Sequence, residues 1–85
     1  MSNAPKIISV RAMGPAELQV QFDNGVVKMY DFGPLLSNSH FRLLRTWAFF
    51  RAVRVDSGGY GVSWNDDIDL SGDELWTRGI PLSNE

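Results

Sequence analysis

The chain has no cysteine, which excludes a disulfide scaffold, a thiolate zinc site and a cysteine nucleophile. Its single histidine, His40, leaves a transition-metal site short of its usual ligands. No apolar run approaches the roughly 20 residues that cross a bilayer, and the N-terminus lacks a signal-peptide core. Repeats and low-complexity stretches are absent, and so is a large excess of either charge. Eight basic and ten acidic side chains give a net charge of -2, which weighs against a dedicated nucleic-acid binder. What remains is a globular composition: 85 residues, 44% hydrophobic and 12% aromatic, enough for one thin core and too rich in apolar residues for intrinsic disorder. Residues 1–5 read as a disordered leader and residues 6–85 as a single domain of a soluble, cytoplasmic protein that does not engage a membrane.

Two hairpins organise the pattern. Asn24-Gly25 separates the alternating runs Leu18–Phe22 and Val26–Tyr30. A two-residue turn there pairs Phe22 with Val27 and Val20 with Met29. That register puts Leu18, Val20, Phe22, Val27 and Met29 on an inner face, and Gln19, Gln21, Lys28 and Tyr30 on an outer one. Gly58-Gly59 makes a second turn, pairing Val55 with Val62 and Val53 with Trp64. Lys6–Ala12 supplies a fifth strand, broken at Gly14-Pro15.

Between the hairpins, Pro34 suits the first turn of a short helix through Leu36. Ser39 could cap a second helix over 40–50, whose inward stripe would be Phe41, Leu44, Trp47 and Ala48. Ser71 and Glu74 have the spacing of a capping box, opening a last helix that Gly79 and Pro81 close. The expected fold is α+β: a five-strand, mainly antiparallel sheet built from two hairpins, with short helices packed on one face.

These landmarks carry a resemblance. The stretch Leu18-Gln19-Val20-Gln21-Phe22-Asp23-Asn24-Gly25 is followed by Tyr30-Asp31-Phe32-Gly33-Pro34-Leu35-Leu36, then by Phe41 with Leu44, and by Phe50. Val53-Arg54-Val55, Trp64 and Ile68-Asp69-Leu70 followed by Leu75 complete the series. In order and spacing the chain resembles a family of small bacterial proteins known as domain of unknown function 2442, over residues 6 to 78. The resemblance implies an α+β domain and an accessory, antitoxin-like partner protein; it carries over no catalytic residues, and no cofactor is expected.

The residues suggest four chemistries. Residues 1–55 carry a net charge of +4 and residues 56–85 a net -6, and Arg42, Arg45, Arg51 and Arg54 follow one another without an intervening acid. Arg42 and Arg45 could steer an acidic protein partner, with Tyr30 or Trp76 as apolar anchors, or an apolar patch at Trp76 and Ile80 could hold a second copy as a homodimer. All four arginines could instead contact phosphates, the alternative reading as a nucleic-acid binder. Asp67, Asp69, Ser71 and Gly72 match the start of a calcium loop, but Arg78 stands where the closing carboxylate belongs, so no metal is expected. Asp66, Asp69 and His40 are the only acid–base set in view. A solvated surface turn explains them more simply, and the expectation is a non-enzymatic module.

Overall fold

The computed structural model describes residues 4–82. Residues 1–3 of the expected leader lie outside the described residues, and Ala4 and Pro5 are half-buried. Strand β1 (Ile7–Gly14) turns through Pro15-Ala16 into β2 (Glu17–Phe22), which pairs antiparallel with β3 (Val27–Asp31). After two 3-10 helices (Gly33–Ser37 and Ser39–Arg45) and a single-turn helix α1 (Trp47–Phe50) come β4 (Arg54–Val55), β5 (Gly61–Ser63) and β6 (Asp69–Ser71). Helix α2 (Gly72–Arg78) leads into β7 (Ile80–Pro81), which returns to β3.

The architecture is α+β, with antiparallel sheets and short helices. The single five-strand sheet expected from the sequence is corrected to two sheets: a four-strand one in the order β1-β2-β3-β7 and a three-strand one in the order β4-β5-β6. Strands β6 and β7 are three and two residues long, too short to show an alternating pattern. Gly59 seats the second sheet's hairpin against the first sheet. A Cβ there would lie 2.7 Å from the Ile7 carbonyl oxygen, and its φ of +79° is one glycine adopts freely.

The first hairpin differs from expectation by one residue. Gly25 N–H donates to the Phe22 carbonyl (3.0 Å) and Phe22 N–H to the Val26 carbonyl (2.9 Å), closing a three-residue loop, Asp23-Asn24-Gly25. Among the described residues no non-glycine has a positive φ; Gly25 alone does in this loop, at +90°. A two-residue type I′ turn would need Asn24 in that region too, so the loop takes an extra residue. Gln21 then faces Val27, Val20 faces Lys28 and Leu18 faces Tyr30. A one-residue slip exchanges the faces of a whole strand. Lys28 and Tyr30, expected outside, are buried, while Val27 and Met29 move to the outer face. The Gly58-Gly59 hairpin keeps its expected register, Arg54 with Ser63 and Val55 with Val62.

The expected helix over 40–50 is also corrected. Asn38, not Ser39, caps it, its Oδ1 accepting from His40 N–H (2.9 Å). The helix breaks at Thr46, whose φ and ψ of -88° and 120° are extended. Leu44 and Phe50 face inward, and Trp47 and Ala48, assigned to the inner stripe, are exposed. At α2, Ser71 Oγ accepts from Glu74 N–H (3.1 Å), but the Glu74 carboxylate turns away from the cap to Tyr30. Only half of the capping box forms.

Phe32 is the centre of the core. Its ring lies 5.4 Å from Phe41, 5.5 Å from Trp64 and 5.6 Å from Phe50, tilted or edge-on to each, the arrangement aromatic quadrupoles prefer. Trp64 Nε1 donates to the Phe50 carbonyl (2.7 Å), so the buried indole is satisfied and ties α1 to β5. Leu18, Val20 and Phe22 complete the core beneath the four-strand sheet.

Strand β7 is the outer strand of that sheet. Leu82 N–H donates to the Val27 carbonyl (2.9 Å), toward β3. Successive N–H groups of a strand point to opposite sides, so position 81 addresses the free edge, and Pro81 has no N–H to offer there.

Candidate functional site

The segment from Ser39 to Phe50 puts apolar side chains on both its sides. Leu44 and Phe50 anchor it to the core, and Arg45 Nε donates to the Leu36 carbonyl (2.8 Å), locking it against the preceding 3-10 helix. On the solvent side Leu43 is 51% exposed and Trp47 45% exposed. The Trp47 indole leans on Phe50, with ring centroids 6.4 Å apart and the ring planes tilted by 45°. Arg42 and Arg51 bracket this pair in sequence, and both are exposed without a bonded partner among the described residues. The result is a stretch of surface with two large apolar side chains and two unengaged cations, held on a fixed frame.

The four arginines therefore divide. Arg45 is committed to Leu36, and Arg54 makes a long contact from Nη1 to the Trp64 carbonyl (3.5 Å). Arg42 and Arg51 remain available. The two expected anchors are elsewhere. Tyr30 is only 5% exposed, and its hydroxyl donates to Glu74 Oε2 (2.7 Å). Burial, reinforced by that carboxylate, pushes the Tyr30 hydroxyl well above the ordinary tyrosine value. Trp76 is half-buried, edge-on to Phe22 with ring centroids 5.0 Å apart. Tyr30 and Trp76 both serve the packing of α2 on the sheet.

Leu43 and Trp47 escape the sequence reading because an unbroken helix would turn Trp47 inward. One signal was available: Leu43 and Leu44 are adjacent, and neighbours in a helix lie about 100° apart, so one of them must leave a narrow apolar stripe.

The outer face of the four-strand sheet changes character with the register. Ser9, Arg11, Gln19 and Gln21 make its β1–β2 half polar, and Val27, Met29 and Ile80 make its β3–β7 half apolar. Ile80 is 68% exposed. An open hollow of about 400 Å³ on this side is lined by Gln19, Gly25, Val26, Val27 and Leu82. A second, of about 250 Å³, lies between Pro34, Leu35, Glu74, Arg78 and Ile80, with Tyr30 and Asp31 in its wall.

His40, Asp66 and Asp69 line neither hollow. His40 is exposed on the second 3-10 helix, its ring edge-on to Phe41 at 4.9 Å. Asp66 and Asp67 are exposed in a turn ordered by Asn65, whose Oδ1 accepts from Asp67 N–H and Ile68 N–H, both at 2.8 Å. Asp69 is exposed at the start of β6. Among the described residues no group of three His, Asp or Glu side chains is placed to hold a metal ion, and no helix is long and apolar enough to cross a membrane.

The chain belongs to the family described as Protein of unknown function (DUF2442), whose model matches residues 7–81 and so nearly the whole chain. Searches of curated proteins and of solved structures gave no match.

Proposed function

We propose that this member of the DUF2442 family is a non-enzymatic accessory module that binds another protein, in the manner of an antitoxin-like partner. Its docking surface is the stretch Arg42, Leu43, Trp47 and Arg51. The observation that carries the reading is Trp47: a large indole nearly half in solvent and resting against Phe50, beside the exposed Leu43. Rigid aromatic anchors that lose little entropy on contact are what protein interfaces concentrate their energy on. Arg42 and Arg51, without internal partners, suit a partner with carboxylates around an apolar contact, and such pairing acts mainly on encounter rate and orientation.

Affinity capture from the source cell, with Trp47→Ala and an Arg42→Glu/Arg51→Glu pair as controls, tests this. Both variants leave core residues untouched and are checked for unchanged melting. The wild type should retain one protein that Trp47→Ala binds about tenfold more weakly. Equal recovery by all three forms removes this surface from function.

The nucleic-acid reading rests on the same arginines, and the structure leaves two of the four unengaged. Two phosphate contacts give a log–log salt slope of about -2. Retention of an oligonucleotide with that slope, lost in the Arg42→Glu/Arg51→Glu pair, replaces the protein-binding reading.

A further inference from the structure

The Asn24-Gly25 tip does more than reverse the chain. We propose that Asn24 is a self-modification site, at which its side-chain amide is lost through a cyclic imide formed with the backbone nitrogen of Gly25.

The geometry supplies three of the reaction's needs. Asp23, Asn24 and Gly25 are all exposed, so water reaches the tip. Val26 N–H donates to Asn24 Oδ1 (3.1 Å), drawing electrons from the carbonyl carbon and standing ready to stabilise the oxyanion that attack creates. Gly25 has no Cβ to obstruct the approach of the Asn24 side chain to its nitrogen. The Gly25 N–H bond to the Phe22 carbonyl (3.0 Å) acts as a brake, because that proton must be freed before the nitrogen can attack. Reaction therefore follows local opening of the loop.

The step balances without any redox partner. Water or hydroxide takes the Gly25 N–H proton, and the nitrogen forms a bond to Asn24 Cγ. The bond from Cγ to the amide nitrogen breaks, and ammonia leaves with a proton from solvent. Water then opens the five-membered ring at either carbonyl. One opening gives aspartate; the other gives isoaspartate, which carries the backbone through the former side chain. Either product adds a negative charge at the tip. The second also lengthens the three-residue loop by one methylene, and the length of that loop sets the register of β2 against β3.

The protein contains its own comparison. Asn38 Oδ1 accepts from His40 N–H (2.9 Å) and Asn65 Oδ1 from Asp67 N–H (2.8 Å), the same local bond, but Ser39 and Asp66 follow them. Both followers bring a Cβ, and Asp66 adds a charge that opposes loss of its own amide proton.

The test is peptide mapping by mass spectrometry of the intact wild-type protein aged in ¹⁸O-labelled water at neutral and mildly alkaline pH, with an isoaspartyl methyltransferase assay as second readout. Label should enter at Asn24 about tenfold faster than at Asn38 or Asn65, and about tenfold more slowly at Asn24 in Gly25→Ala. Asn24→Gln, which lengthens the side chain while keeping the turn glycine, should abolish the methyltransferase signal from that peptide. Labelling at Asn24 no faster than at the other two, or an unchanged rate in Gly25→Ala, overturns the proposal.

Discussion

The ammonium group of Lys28 lies 3.8 Å from the centroid of the Trp76 indole and donates a hydrogen bond to the Trp76 backbone carbonyl. A lysine on a buried sheet face is costly unless its charge is satisfied. Here the aromatic face and a carbonyl near the end of α2 satisfy it, and the side chain becomes the tie between β3 and the helix. Cations are favoured at helix C-termini, and the indole adds a quadrupole of matching sign.

Lys28→Met keeps the length of the side chain and removes the charge. It should lower stability by about 1–3 kcal/mol, from the lost cation–π contact and an unpaired Trp76 carbonyl. Urea unfolding followed by tryptophan fluorescence measures this; a variant as stable as wild type means that the tie contributes nothing net.

Tyr30→Phe removes the hydroxyl that donates to Glu74, and should cost about 1–2 kcal/mol at neutral pH. The pH profile separates the bond from simple packing. Folded Tyr30 holds its proton more tightly than the unfolded chain does, because burial and Glu74 oppose the phenolate. Its contribution is complete below the ordinary tyrosine value of about 10 and is lost as pH rises above it, where the unfolded state binds fewer protons. Wild-type melting should therefore fall more steeply than that of Tyr30→Phe on the alkaline side. Parallel profiles would contradict the assignment.

Two glycines with positive φ should respond unequally to alanine. At Gly25 a Cβ meets open space, so the cost is conformational, about 1 kcal/mol. At Gly59 the same strain is joined by a clash with the backbone of Ile7, and the loss should exceed that of Gly25→Ala by about 1–3 kcal/mol. Thermal melts of the two variants under identical conditions decide it; equal losses would mean that the hairpin is free to shift away from β1.

Register is tested by a pair on one hairpin. Val20→Asp buries an unpaired charge and should unfold the domain. Met29→Gln, on the outer face, should cost less than about 0.5 kcal/mol, whereas the register with a two-residue turn would put Met29 in the core. Circular dichroism melts of both variants distinguish the two registers, and a large loss for Met29→Gln would restore the shorter turn.

Much of the fold was legible. The Gly58-Gly59 register, the strand ahead of Gly14, the Ser71 cap and the inward Leu44 and Trp64 follow from alternation, helical period and turn chemistry. The first hairpin differs at one point: Asn-Gly favours a two-residue turn locally, and the three-residue loop is favoured instead by bonding the buried Tyr30 to Glu74 and seating Lys28 on Trp76. Those contacts join residues 44 and 48 positions apart, beyond the reach of any local pattern. The same holds for the surface that carries the proposed function. The break at Thr46 turns Trp47 outward, yet no glycine or proline marks it. Arg45 is engaged through the Leu36 carbonyl, which sequence spacing does not reveal.

Pro81 occupies the one outward-pointing backbone position of β7. A second chain that tried to extend the sheet there would find no amide to bind, along a strand of only two residues. Growth into an open-ended cross-β stack is thereby discouraged at this border. A partner that meets the sheet along this border must therefore hold it through side chains.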